Sequence, residues 1–281
     1  MHPKCRPIEG RKVFMVEYFM NESPNRLAFL FLTIDNLNQY ALWERFFSEA
    51  DPRLYSIHVH PKYPDRVAQS LLFGRIARNV VETRWGHISQ IRALNHLLKE
   101  ALTKNETNAK FMYCSESSIP LYNFSSIYDE IMRDEKGFLH RYSSIQERWR
   151  RIKDKSYISK ESFLKMCGEG WVFNRELAEH VVRNDHTDIF EKVACPLEHY
   201  YINLFQHLRL DIDGLLHNRR LTFFNWKECS PGGGHPKTYQ EVTEQDVDKA
   251  RELGFLFFRK VTAGAAVPVD HILGCKSVYK I

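Results

Sequence analysis

No stretch of the 281-residue chain approaches the roughly 20 consecutive apolar residues of a membrane span. Its first residues, Met1-His2-Pro3-Lys4-Cys5-Arg6, lack the apolar core of a signal peptide. A soluble, cytoplasmic protein is therefore expected. Cysteine is sparse: Cys5, Cys114, Cys167, Cys195, Cys229 and Cys275 lie far apart with no C-x-x-C pair, which points away from a zinc site or a small disulfide scaffold and toward reduced thiols. Charge of one sign is equally thin. The net charge of +5 is scattered, and Arg148, Arg150, Arg151, Lys153 and Lys155 form the only dense run. Such a mild excess suits a small anionic ligand as well as nucleic acid, and the aromatics mostly sit at core spacing, so no nucleic-acid partner is expected. There is no internal repeat. With 43% hydrophobic residues, one large domain with a buried core is expected.

What is present alternates between strand and helix signals. Residues 1–25 read as an N-terminal extension carrying the apolar segment Val13-Phe14-Met15-Val16. Leu27-Ala28-Phe29-Leu30-Phe31-Leu32 is a continuous apolar run of strand length, as in a strand buried on both faces of a mostly parallel sheet. Leu37, Tyr40, Trp43, Phe46 and Phe47 then recur at helical spacing, and residues 54–60 form a second strand stopped by Pro61. This strand–helix–strand unit predicts an α/β fold whose ligands bind at the carboxyl ends of the strands, so loops 33–36 and 60–65, with Thr33 and His60, are nucleotide candidates. A short strand is expected at 79–81, an amphipathic helix through Ile88, Ile91, Leu94 and Leu98, and a third buried strand at 110–114. That strand runs out into Ser115-Glu116-Ser117-Ser118, a crowd of polar groups that reads as a site or as a solvated loop. Residues 141–160 read as a mobile surface loop, 168–173 as a short strand, and 220–224 as a late strand ahead of the Pro231-Gly232-Gly233-Gly234-His235-Pro236 loop.

Cys195-Pro196-Leu197-Glu198-His199-Tyr200-Tyr201-Ile202 reads as a proline-led helix start, with Leu197, Tyr201, Leu204 and Leu208 on an inward face. A glutamate in that first turn sits among unpaired N–H groups at the positive helix end. Two roles fit Glu198 there, a general base or a capping carboxylate.

Five segments then occur in a telling order: residues 27–60, Arg84-Trp85-Gly86, 115–124 (Ser-Glu-Ser-Ser-Ile-Pro-Leu-Tyr-Asn-Phe), 170–177 (Gly-Trp-Val-Phe-Asn-Arg-Glu-Leu) and Pro196-Leu197-Glu198-His199-Tyr200. Together, over roughly residues 26–262, they resemble the core-2/I-branching glycosyltransferases, a family that also holds peptide O-xylosyltransferases and many plant relatives. The resemblance implies a GT-A-like nucleotide-sugar transferase fold, with a mostly parallel central sheet flanked by helices, over 26–265 and a C-terminal tail at 266–281. It implies an inverting enzyme that uses a UDP-sugar donor, a glycan or glycoprotein acceptor and no metal or other cofactor.

The same resemblance distributes roles. Where most GT-A enzymes carry an Asp-x-Asp metal clamp this chain reads Ser115-Glu116-Ser117, and one carboxylate cannot make that clamp. Fixed cations must then meet the charge on the leaving phosphates. Lys260, in Phe257-Phe258-Arg259-Lys260-Val261, matches the family's phosphate-binding lysine, with Arg259 beside it as the alternative. Lys237 falls near a further family arginine, and is otherwise a solvated loop lysine. Glu198 aligns with the catalytic base; one carboxylate suffices for a single inverting displacement. Ser115, Glu116, Glu169 and Trp171 are implied acceptor contacts, with core packing as the other reading of Trp171. Arg75, Arg78 and Arg84 are candidates for uracil or diphosphate, Arg78 reading first as an exposed surface arginine, and His60 stands where relatives commonly carry an aspartate. Trp85 reads as packing. The motifs do not separate UDP-xylose from UDP-N-acetylglucosamine; the lack of a small polar recess for an N-acetyl group leans toward xylose.

Overall fold

The apolar run becomes strand β1 (Arg26–Thr33), buried from Leu27 onward. Helix α1 (Tyr40–Ser48), strand β2 (Tyr55–Pro61), helix α2 (Ser89–Lys104) and strand β3 (Asn108–Ser115) follow. Next come β4 (Ile119–Pro120), α3 (Phe124–Met132), β5 (Gly137–Phe138), β6 (Arg141–Ser143), α4 (Gln146–Trp149), β7 (Leu164–Met166), β8 (Val172–Asn174) and α5 (Arg175–Arg183). The last part holds α6 (Tyr200–His207), α7 (Ile212–Leu215), β9 (Leu216–His217), β10 (Thr222–Phe224), β11 (Tyr239–Glu241), α8 (Glu244–Glu252), β12 (Phe257–Arg259), β13 (Val261–Ala266) and α9 (Val269–Gly274). This computed structural model describes residues 24–143, 146–229, 234–275 and 278. The apolar segment at 13–16 and Pro231, Gly232 and Gly233 lie outside them.

The central sheet runs β2-β1-β3-β8-β5-β9, with β1 parallel to both its neighbours and β8 antiparallel to β3. Successive side chains of a strand point to opposite faces, so the β1 run splits in two. Ala28, Leu30 and Leu32 pack with Ile91, Leu94 and Leu98 of α2, while Leu27, Phe29 and Phe31 meet Trp43, Phe46 and Phe47 of α1. Phe31 meets Trp43 edge to face at 5.1 Å and Phe29 meets Phe47 at 5.0 Å. The result is the mostly parallel, helix-flanked sheet expected of a GT-A-like fold. Among the described residues no helix is long and apolar enough to cross a membrane.

A smaller sheet, β10-β12-β4, folds the C-terminal part back onto the exit of β3. Phe258 pairs with Ile119, the Val261 N–H donates to the Ser117 carbonyl at 2.9 Å, and the Trp43 indole N–H donates to the Ser118 carbonyl at 3.0 Å. Arg259 and Lys260 thereby come to lie beside the Ser115–Ser118 turn, more than a hundred residues away in sequence. The residues 266–281 read as a tail contribute helix α9, whose Ile272 and Leu273 are buried in the core.

Four local expectations are corrected. Residues 79–81 form no strand, because the Val81 N–H is taken by His60 Nε2 at 3.0 Å rather than by a neighbouring strand, and the isolated parallel bridge to Val59 falls at Ile76. The loop at 141–160 packs instead of ranging free: it holds β6 and α4, and Ile152, Tyr157 and Ile158 are buried. The strand at 168–173 begins only at Val172, because Gly170 turns with φ +69° and a Cβ there would run into Thr222 Oγ1. Lastly, Pro196–Glu198 is a single 3-10 turn, and α6 begins at Tyr200 after a break at His199 (φ −137°). Glu198 therefore sits just ahead of the α-helix, not in its first turn.

The β6–β7 hairpin is latched to α6 by one buried side chain. Asn203 Oδ1 accepts the Leu164 N–H at 3.0 Å, while its Nδ2 donates to the carbonyls of Leu164 at 2.8 Å and His199 at 2.6 Å. His199 Nδ1 also donates to the Leu164 carbonyl at 3.0 Å, and its ring stacks on Phe163 at 4.9 Å. This fixes Lys165, the next residue of β7, relative to Glu198. Asn203→Ala leaves these buried backbone groups without partners and should cost about 2–3 kcal/mol, read from denaturant midpoints.

Burial also pushes His58, His60 and His199 down to about 4 from an ordinary value near 6.5. Below pH 6.5 the unfolded chain takes up protons that the folded chain refuses, so stability is full above pH 6.5 and falls as the pH drops toward 4. Guanidinium melts at pH 7.5, 6.0 and 5.0 should show midpoints that decline in that order.

Candidate active site

Two cavities open where β1 and β3 end. One, of about 530 Å³, is lined by Thr33, Lys62, Tyr63, Arg84, Ser115 and Glu116. The other, of about 440 Å³, is lined by Tyr142, Lys165, Glu169, Glu198, Arg220 and Trp226. Trp85, Gln90, Arg259 and Lys260 line both, so the two spaces meet at a pair of cations and an indole.

Glu198 is held by its backbone first. Cys195, in the left-handed region at φ 48°, donates its N–H to the Gly86 carbonyl at 3.2 Å and starts the Pro196–Glu198 turn. Gly168 faces the Glu198 side chain, where an added Cβ would stand 3.4 Å from Cγ. The carboxylate keeps about a third of its surface exposed, and its Oε2 accepts from Lys165 Nζ at 3.2 Å and Arg148 at 3.4 Å. Arg148 is itself fixed by donating to the Ala194 carbonyl at 2.6 Å. Arg148, from the basic run in the segment expected to be a mobile surface loop, thus helps orient the carboxylate.

The shared wall is organised by Glu169. Its buried carboxylate accepts the Ser115 N–H at 2.9 Å and the Ser118 hydroxyl at 3.3 Å, and pairs with Arg259 Nη1 at 3.3 Å. Arg259 Nε donates to the hydroxyls of Ser115 and Ser117 at 3.2 and 3.3 Å. Lys260, by contrast, has no hydrogen-bond or ion-pair partner for Nζ among the described residues. Burial, and then the Arg259 charge beside it, pull the Lys260 ammonium below its usual range. Burial, with Glu169 adding to it, raises Glu116.

The structure gathers Thr33, Ser115, Glu116, Glu169, Glu198, Arg259 and Lys260 around these two spaces, but not the other four candidates. His60 is fully buried and spends Nε2 on Val81, so it is a core histidine. Arg75 turns back to the Leu71 carbonyl and lines neither cavity. Lys237 points away to Glu228, at 2.7 Å. Trp171 is 1% exposed and stacks on Phe173 at 4.1 Å, so it is core filling. Ser115 and Glu116, expected at the acceptor, line the Thr33 cavity instead. Trp85, expected to be packing, is 71% exposed and meets His235 edge-on at 5.0 Å.

Several cavity residues went unread in the sequence. Lys62 and Tyr63 lie within the loop singled out at 60–65 and are pinned there by N–H bonds to the carbonyls of Thr33 at 2.8 Å and Ile34 at 2.9 Å. Lys165, Arg220 and Trp226 carried no usable signal, because lone basic and aromatic residues are common on surfaces. Exposure marks the aromatic among them in the fold. Of the seven exposed large apolar side chains among the described residues, Ile34, Tyr63, Trp85, Tyr142 and Trp226 line the cavities. Such clustering is a mark of ligand surfaces.

Glycosyltransferase BC10 of Oryza sativa subsp. japonica is 32% identical over 167 residues, which is 57% of this chain and 41% of that protein. The chain thus spans less than half the length of this curated relative. The sequence model described as Core-2/I-Branching enzyme matches residues 27–251, from the first residues of β1 to the last turn of α8. The chain belongs to the core-2/I-branching enzyme family.

Proposed function

We propose that this chain is a glycosyltransferase that moves a sugar from a UDP-sugar to a glycan hydroxyl, with inversion and without a metal ion. One observation carries the proposal: a carboxylate, Glu198, and a half-buried ammonium, Lys260, that has no partner among the described residues line the same cavity, and Lys260 also lines a second cavity at the strand ends, where open α/β sheets bind ligands. In this reading UDP lies in the Thr33 cavity and the acceptor in the Glu198 cavity. The acceptor oxygen attacks the anomeric carbon as the bond to UDP breaks, and its proton passes to Glu198. The electron pair leaves with UDP, whose growing charge Lys260 and Arg259 meet from fixed positions. Two fixed cations at that point can stand where most GT-A enzymes use a metal, and their placement supports the metal-free reading. Lys165 and Arg148 aim the carboxylate. UDP-xylose is the donor we put first, on the sequence ground given above, and UDP-N-acetylglucosamine second.

The test is NMR of the purified protein with UDP-xylose, UDP-N-acetylglucosamine, UDP-glucose and UDP-galactose in turn, in EDTA, following slow release of UDP and free sugar. Turnover of one donor is expected. Glu198→Gln should slow it about 100-fold or more while UDP still binds. Lys260→Ala should weaken UDP binding about 10-fold or more. UDP binding lost with Glu198→Gln and kept with Lys260→Ala would reverse the assigned roles.

A further inference from the structure

We infer that Arg220 and Tyr142 form a subsite for an anionic group on the acceptor, so that the acceptor is an acidic oligosaccharide; this rests on the glycosyltransferase reading above. The Glu198 cavity is lined by four cations, Lys165, Arg220, Arg259 and Lys260, and two carboxylates, Glu169 and Glu198. Glu169 is matched by Arg259, and Glu198 by Lys165 with Arg148 from behind. Lys260 stands at the junction, where the proposal puts the leaving phosphate. Arg220 is left over. Among the described residues no carboxylate pairs with it, and Tyr142, near enough to feel its charge, lines the same cavity.

Its surroundings hold it in place without neutralising it. The guanidinium lies over the rings of Phe255 at 5.0 Å and Phe224 at 5.4 Å, and Arg259 lies over the same Phe224 ring at 5.7 Å. A half-buried guanidinium on apolar faces has lost water and gained no counter-ion, a state that an incoming anion relieves. The planar fork, pre-set by the rings, matches a carboxylate or a sulfate in two-point contact. The Tyr142 hydroxyl beside it adds a further hydrogen-bonding group. Uronic acids and sulfate esters are the two sources of such a group on a glycan.

The test compares binding of three tetrasaccharides by saturation-transfer NMR and calorimetry: oligogalacturonate, its carboxyl-reduced neutral counterpart, and a sulfated form of that neutral chain, each with UDP present. At least a tenfold preference of the wild-type chain for one anionic form over the neutral one is expected, shrinking as salt rises; which form wins names the source. In Arg220→Gln that preference should fall to near unity, and in Arg220→Lys, which keeps the charge and loses the fork, to an intermediate value. Equal binding of anionic and neutral chains by the wild type, binding of none, or a preference that survives in Arg220→Gln overturns the subsite. Titration of UDP into the same samples separates the two levels: UDP bound with no anionic preference removes the subsite alone, while absence of UDP binding removes the glycosyltransferase reading beneath it.

Discussion

The buried carboxylate of Glu169 is the interaction on which the site depends. Burying it would be costly alone, and it is stable here because it accepts from the Ser115 N–H and Ser118 hydroxyl at one oxygen and pairs with Arg259 at the other. Three chain segments are fixed by this one group: the exit of β3, the lead-in to β8 and the end of β12. Remove it, and Arg259 keeps only weak hydroxyl partners while the Ser115 turn loses its anchor. Lys260 follows Arg259 directly, so its unpaired ammonium takes its position from the same bond network. The arrangement is asymmetric: Arg259 is satisfied by Glu169 and two hydroxyls, while the Lys260 ammonium beside it has no partner among the described residues.

Glu198 is built on the opposite logic. Its position comes from backbone devices, a left-handed Cys195, a 3-10 turn and the bare Gly168 face, and its direction from two cations that arrive on separate segments. The Asn203 latch joins the segment that carries Lys165 to α6. Around the Glu198 cavity charge is consequently sorted, not spread: among the described residues Glu169 is matched by Arg259 and Glu198 by Lys165 and Arg148, while Lys260 and Arg220 have no carboxylate partner. An arrangement of this kind attracts anions at two separated points, which suits a diphosphate and a second acidic group better than any neutral pair of ligands.

Much of the fold could be read from the sequence, because β1 is a continuous apolar run and α1 and α2 have clean helical spacing. Short motifs singled out Glu198 and Lys260, and the fold brings both to one cavity. What failed failed for one physical reason: the deciding partner lay far away along the chain or in an unforeseen direction. His60 is a core residue because Val81 supplies its N–H donor, and Lys237 is removed by Glu228. Trp171 gave an aromatic signal equally compatible with stacking on a sugar or on Phe173, and only burial separates the two. The 141–160 segment looked unpatterned because its apolar residues are spaced for irregular packing, yet it delivers Arg148 to the carboxylate. Lys165 and Arg220 acquire meaning only from neighbours that the sequence keeps apart.

The central claim is that the nucleotide and the acceptor occupy adjacent cavities joined at Lys260. A crystal structure of the chain with UDP tests it most directly. The account predicts uracil in the Thr33, Lys62 and Tyr63 cavity and the diphosphate within hydrogen-bonding reach of Lys260 Nζ, with the space in front of Glu198 left open. UDP seated against Glu198, or bound with its phosphates away from Lys260, would contradict it.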